Sequence, residues 1–543
     1  MMSRLWLGVL LVLSYLCKFV VYRGILLLDS GLNIESKIAA YLTCFAVAAS
    51  LAAIILVNHK KILSMILMFV IDLWLVANIL YYEANHLYIT WQVALTFNQL
   101  RGFEDSINGY VNWSIIVISL VSIIIVYIIS LFPLSAKKYW KAFCLVLIFS
   151  FCSCLLAWGL RNSHLTQAND THQPLRGKTI QFVKTHSPIA HMAYVCYFSI
   201  KKSAWKSSME KPLNKKELSV LSTIYRELTH GHVPQGHLVC ILIESLESWP
   251  LYINDIENKP VCPNLTKYIL NNNVLYCDKI TSQQLYGRSG DGQLITQTGM
   301  LPVSHGITCM QYGNNVYPNF AHFYPNSIVL NPYPGVWNQK TTTYSYGYKN
   351  LRELPRMLHC LKDSIILSMT ISTLEQAKVP TCVLAITIDT HVPFHSSNNS
   401  LILSGSYSEI ERKYLKCVHD LDRHMGTFLH WADTSKIMQD ATIVITADHN
   451  HFPQEDGKGF CPLMIKSPHI HSKIDVKEAY QMDIFPTVLH AIGQANYAWH
   501  GFGVDLLDST STRHITPSVA YSLSEKMIYS NFFQSHPLDA INP

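Results

Sequence analysis

Charge is what this chain has least of. Only 14% of its 543 residues are Asp, Glu, Lys or Arg, against roughly 25% in ordinary soluble domains. The shortage is concentrated before residue 161, which excludes a wholly soluble chain. The balance of 42 basic against 36 acidic residues leaves +6, partly placed in short loops between apolar runs. No basic face for nucleic acid follows from so small an excess. A CxxC motif is absent, which argues against a cysteine zinc site. Of the 14 cysteines, five lie in apolar runs and nine are scattered at irregular spacing. That odd number excludes a disulfide ladder, and only a Cys262–Cys277 pair is left open. Internal repeats and low-complexity tracts are missing too.

What fills the first part is apolar sequence. Runs at 5–22, 38–57, 62–81, 114–133 and 142–159 each approach the ~20 residues that carry a helix across a bilayer core. Five membrane spans are expected. No small-x-small site follows the first run, and Leu16 before Cys17 does not fit a lipoprotein site, so an uncleaved anchor is expected. Basic residues mark alternate loops: Arg4, then Lys60 and Lys61, then Lys137, Lys138 and Lys141. By the positive-inside rule those loops and the N-terminus are cytoplasmic, and everything after 160 is extracytoplasmic. Lys18 is close enough to the end of its span to snorkel. Asp72 is mid-span, where a carboxylate is either functional or a contact within the bundle.

Beyond the spans (1–160) the expected order is a polar juxtamembrane connector (161–231), one globular domain (232–510) and a Ser-, Thr- and Pro-interrupted tail (511–543). Three apolar strands in the globular part deliver chemistry at their C-terminal ends. Leu238–Ile243 runs into Glu244, Cys382–Ile388 into Asp389-Thr390-His391, and Thr442–Ala447 into Asp448-His449. Continuous apolar runs of this length suit a largely parallel α/β sheet covered on both faces. In such sheets ligands bind outside the carboxyl ends of the strands.

The segment Gln284-Leu285-Tyr286-Gly287-Arg288-Ser289-Gly290-Asp291-Gly292-Gln293 offers a nucleophile. Ser289 sits beside a cation and just ahead of an expected helix, Leu294 to Met300, where backbone amides favour an anion. Read alone it is an ordinary polar loop. Together with Glu244, Asp448 and His449, it supplies the fourth side chain for one divalent cation, which would lower the hydroxyl's pKa. Oxygen-rich ligation with one His suits Mn or Mg, and Zn is compatible.

These motifs resemble those of the lipoteichoic acid synthase and phosphoglycerol transferase family, membrane-anchored members of the alkaline phosphatase/sulfatase superfamily. The strand-plus-glutamate motif matches Ile241-Leu242-Ile243-Glu244-Ser245-Leu246, and the nucleophile motif matches Arg288–Gln293, with Ser289 for the family's threonine. The Gly-Asp-His motif resembles Ala447-Asp448-His449, and His391-Val392-Pro393-Phe394 resembles a substrate-site segment. Trp337-Asn338-Gln339 with Tyr346-Gly347-Tyr348, and Met482–Thr487 ahead of Gly503–Leu507, complete the likeness in order.

The resemblance implies a bacterial cytoplasmic-membrane phosphotransferase. It implies Glu244, Ser289, Asp448 and His449 on one metal ion. Ser289 and His391 would be catalytic, with Arg288, Trp337, Gln339 and His391 around the substrate. The partners implied are a membrane phospholipid donor and an envelope glycan or lipid acceptor. Two positions depart from the family. Gln339 stands where the family has an arginine that contacts phosphoglycerol, and an amide does not replace a bidentate cation. Pro334 stands near an expected polar contact. A sulfatase would need Pro and Arg after Ser289 for formylglycine, and Gly290-Asp291-Gly292-Gln293 supplies neither. Phosphoethanolamine transferases usually show Gly-Glu-Thr where this chain has Ile243-Glu244-Ser245. A non-catalytic sensor would be expected to lack a ligand, and none is missing.

Overall fold

The computed structural model describes residues 4–30, 32–57, 61–85, 89, isolated positions between 116 and 152, 183–193, 195–196, 213–222, and 233–536 apart from 272, 305, 334, 356–361 and 397–400. Two compact units divide the chain, one of residues 1–95 and 103–205 and the other of residues 96–102 and 206–543, with the main boundary after Trp205. The boundary therefore falls inside the expected connector.

In the first unit, α1 (Arg4–Ile25), α2 (Ile34–Val57) and α3 (Lys61–Asn85) are apolar and long enough to cross a membrane. They match the first three expected spans. The runs at 114–133 and 142–159 lie almost entirely outside the described residues. Tyr15, Phe19, Tyr22, Ile55, Leu75 and Ile79 pack between the helices. Arg23 is fully buried at the end of α1. It pairs with Asp29 and donates to the carbonyls of Lys184 (2.7 Å) and His186 (3.3 Å). Trp74 Nε1 donates to Pro188 O at 3.1 Å, so part of the connector is fixed to this unit.

Lys18 does not snorkel. Its ammonium lies 2.6 Å from Asp72 Oδ1 and the residue is 2% exposed. The opposite charge on α3 satisfies it locally, which removes the reason to reach for the interface. Removing one member of a buried pair strands the other and typically costs about 3–5 kcal/mol. Lys18→Met should therefore lower the unfolding temperature in detergent markedly. Lys18→Met combined with Asp72→Leu should recover most of the loss, and a double variant as unstable as the single one would argue against the pairing.

The second unit contains α4 (Lys215–Ser222), β1 (Leu238–Ile243), β2 (Val274–Thr281), α5 (Ser289–Thr298), β3 (Asn326–Asn331), α6 (Gln339–Ser345), β4 (Asn350–Glu353), α7 (Lys362–Glu375), β5 (Thr381–Ile386), α8 (Glu409–Thr434), β6 (Thr442–Ala447), β7 (Cys461–Lys466), β8 (Ile474–Val476), β9 (Ala479–Tyr480), α9 (Ile484–Ala491) and α10 (Pro517–Tyr529). The sheet order is β4-β3-β5-β1-β6-β7-β2-β8, with β9 also on β2. Only β7 runs against its neighbours. Every residue of β1, β5 and β6 is buried, as expected of strands covered on both faces. Each buried Val, Leu or Ile contributes about 1.5–3 kcal/mol before chain entropy is counted.

One expectation changes. The stretch from 511 is not peripheral. Thr516 caps α10 and Pro517 starts it, and the helix buries Tyr521, Leu523, Met527 and Ile528. Tyr521 bonds Gln283 O, Ser524 bonds both polar backbone atoms of Leu301, and Arg513 pairs with Asp483. The Cys262–Cys277 pairing that the sequence leaves open is not formed, and both are buried free thiols.

Candidate active site and metal centre

Because β4, β3, β5, β1, β6 and β2 all run in one direction, their C-terminal ends share an edge. The loops leaving that edge carry Glu244 after β1, Ser289 after β2, Trp337 after β3, His391 after β5 and Asp448-His449 after β6. Ile243 and Ala447 are register partners, so Glu244 and Asp448 are the next residues on adjacent strands.

The ligand atoms of Glu244, Asp448 and His449 lie within 4.8 Å of one another, and all three residues are buried. His449 Nε2 is 3.5 Å from Glu244 Oε1 and 3.6 Å from Asp448 Oδ2. Ser289 Oγ donates to Glu244 Oε2 at 3.2 Å and lies 3.3 Å from His449 Nε2. Burial, reinforced by the charge of Asp448, pushes the Glu244 carboxyl well above its ordinary range. Burial likewise raises Asp448. His449 is held well below the usual imidazole value by burial and by Arg288. Two converging carboxylates and a neutral imidazole with a hydroxyl beside them form a donor set suited to one divalent cation.

The side chains are held by a surrounding set of hydrogen-bonding groups. Ser245 donates through Oγ to Glu244 Oε1 (2.7 Å) and through N–H to Asp448 Oδ1 (2.9 Å). Thr387 Oγ1 accepts from Glu244 N, and Gln481 Nε2 donates to Asp448 O at 2.6 Å. Glu247 receives the N–H groups of His451, Phe452 and Gly459 and the Trp249 indole, which fixes the loop after β6. Burial still lifts Glu247 to about 7. Ser245 lies within a recognised motif, whereas Glu247 and Gln481 carry no local signal.

The helix α5 begins at Ser289 itself, earlier than its apolar residues indicate. Asp291 Oδ2 accepts from Leu285 N and Gly287 N and so closes the preceding loop. Its burial pushes the carboxyl up to about 7. Gly292 is required because a Cβ there would lie 2.1 Å from Asp448 O. That contact seats the nucleophile helix against the metal-ligand strand. Arg288 has φ +43°, and Ser245, Trp337, Asn338 and Phe394 also have positive φ at this edge. Such conformations cost of order 1–3 kcal/mol each and cluster at working sites.

The remaining expected site residues are placed unequally. Trp337 lies beside the start of α5, its Cβ 3.5 Å from a Cβ built on Gly290. Gln339 is buried, and its amide donates to Thr343 Oγ1 one turn along α6 (3.3 Å). His391 is half-buried, with Nδ1 2.6 Å from Val392 O. Burial lowers its pKa, and the charges of Asp448 and Arg288 act on it in opposite directions. Pro334 lies outside the described residues.

Residues 1–206 match the lipoteichoic acid synthase N-terminal domain family, and residues 305–494 match the sulfatase family. The sulfatase match includes Trp337, His391, Asp448 and His449 but begins after Glu244 and Ser289. Lipoteichoic acid synthase 1 of Bacillus subtilis is 21% identical over 347 residues, 55% of this chain and 53% of that protein. The lipoteichoic acid synthase of Staphylococcus saprophyticus is 21% identical over 317 residues, 51% of this chain and 48% of that one. The chain spans about half the length of the curated relatives it matches. The integral membrane lipooligosaccharide phosphoethanolamine transferase A from Neisseria meningitidis shares the fold. Its TM-score is 0.56 at 10% identity, over 90% of this chain and 95% of that one.

Proposed function

Taking as premise that this chain is a lipoteichoic acid synthase-like member of the alkaline phosphatase/sulfatase superfamily, we propose that it is a metal-dependent phosphotransferase of a bacterial cytoplasmic membrane. It moves a phospho-alcohol head group from a phospholipid to an envelope glycan or lipid. The N-terminus is cytoplasmic and the catalytic unit extracytoplasmic. The observation that carries the reading is the position of Ser289 Oγ, within 3.3 Å of both Glu244 and His449 at the head of α5.

Glu244, Ser289, Asp448 and His449 hold one divalent ion, with Mn or Mg favoured by the oxygen-rich set. When bound, that ion lowers the serine hydroxyl's pKa and polarises a phosphoryl oxygen. Ser289 passes its hydroxyl proton to His391 as its Oγ attacks phosphorus, and the bond to the diacylglycerol oxygen breaks. His391 hands that proton to the leaving oxygen. The phosphoserine is then attacked by an acceptor hydroxyl, whose proton passes through His391 to the departing serine oxygen, and serine is regenerated. Arg288 steadies the anionic phosphoryl group, while Trp337 and Gln339 shape the pocket beyond it.

Purified full-length protein with Mn should release diacylglycerol from at least one of phosphatidylglycerol and phosphatidylethanolamine, and should do so faster when an acceptor glycolipid is present. Release from neither, with metal bound at the site, would refute the transferase reading.

A further inference from the structure

Lys362 opens α7 at the same sheet edge, and the reaction above gives it no task. The residue is 5% exposed, and its ammonium lies 4.4 Å above the ring of Tyr333. Among the described residues that ammonium makes no hydrogen bond or ion pair. The position is unfavourable twice over. A cation in the first turn of a helix opposes the macrodipole, and burying an ammonium without partners is costly.

The two elements that hold Lys362 are those that carry expected substrate residues. Asp363 Oδ1 accepts from Ile388 N (2.7 Å) and Asp389 N (3.1 Å), and Asp389 Oδ2 accepts from Asp363 N (2.9 Å). This stitches the start of α7 to the loop bearing His391. Tyr333 belongs to the loop bearing Trp337. Lys362 therefore stands between the His391 and Trp337 loops, while Arg288 stands beside Ser289. Asp363 Oδ1 and Asp389 Oδ2 are engaged with backbone N–H groups, Asp363 Oδ2 is buried without a hydrogen-bond partner among the described residues, and the Gln339 amide is tied to Thr343. Burial lowers the ammonium's pKa, and Asp389 and Asp363 oppose that fall.

We propose that Lys362 is a specificity-determining residue whose ammonium meets the alcohol part of the transferred head group, donating to hydroxyl or anionic oxygens and repelling an ammonium-bearing group. An ammonium offers three donors and no acceptor, so it complements a polyol and not ethanolamine. Rejection arises because a like charge must be brought close in a site withdrawn from water. The assignment rests on the transferase reading but is tested separately from it.

Calorimetric binding to the full-length Mn-loaded protein compares glycerol phosphate with phosphoethanolamine. The wild type should bind glycerol phosphate about tenfold tighter or more, as expected when a buried donor is matched or left unpaired. Lys362→Met should erase that preference chiefly by weakening glycerol phosphate, and Lys362→Arg should keep its direction. Diacylglycerol release from phosphatidylglycerol and phosphatidylethanolamine is followed in parallel. If neither lipid is cleaved but the binding preference exists and depends on Lys362, the transferase reading fails and the assignment stands. A wild type that binds phosphoethanolamine equally well overturns the assignment. So does a Lys362→Met protein that unfolds at lower temperature with its preference unchanged, which would mark Lys362 as a structural balance for Asp363 and Asp389.

Discussion

Ser289→Ala should abolish turnover while leaving the protein folded. The expected loss is of order 10⁴-fold or more in kcat, the scale seen when a covalent nucleophile is removed. The hydroxyl bridges Glu244 and His449 from a half-buried position at the head of α5. Its deletion creates no sizeable cavity and breaks no core packing, so stability should change by about 1 kcal/mol or less. Ser289→Thr should keep measurable activity, because it presents the same attacking atom. Mass spectrometry of the resting enzyme should find plain serine, and donor added without acceptor should leave a phospho-adduct on the Ser289 peptide. Formylglycine at this position would restore the sulfatase reading. Full activity in the alanine variant would remove Ser289 from the chemistry.

The parts of this fold that were legible are those whose signal is local. The apolar runs ending at Ile243 and Ala447 reveal β1 and β6, and their length and burial on both faces imply a largely parallel sheet. The adjacency of Glu244 and Asp448 is different in kind. It comes from a register between strands some 200 residues apart, and no local pattern encodes it. The start of α5 was obscured because Gly290 and Gly292 are poor helix formers, and Gly292 is there for its approach to Asp448 O. Lys18 was misread because its partner is on another helix. The segment after 511 was misread because polar loop residues precede α10 and hide its buried face. Lys362 carries no sequence signal at all. A lone lysine at a helix start reads as surface until tertiary structure shows what covers it.

Asp448→Asn should reduce metal occupancy and turnover together, and its effect on stability should change sign with the metal. The mutation keeps the side chain's shape but removes one of two adjacent buried carboxylates. Mutating groups that merely orient ligands costs about 10–100-fold in metal affinity or activity, so loss of a direct carboxylate should cost at least the upper end of that range. Glu244→Gln should behave alike, because its carboxylate faces the same point from β1. In metal-free protein, Glu244 and Asp448 crowd like charge into a buried space, and that repulsion opposes folding. The metal-free Asp448→Asn protein should therefore unfold at a temperature no lower than the metal-free wild type. With Mn at about 100 times its dissociation constant, the wild type should gain roughly 2.7 kcal/mol from binding to the folded state alone. The variant should gain far less, so the order of unfolding temperatures reverses on adding metal. A chelator should restore the first order and silence the wild-type enzyme. If Asp448→Asn binds Mn and turns over as the wild type does, the cation is held elsewhere and Glu244, Asp448 and His449 are a hydrogen-bonded cluster only.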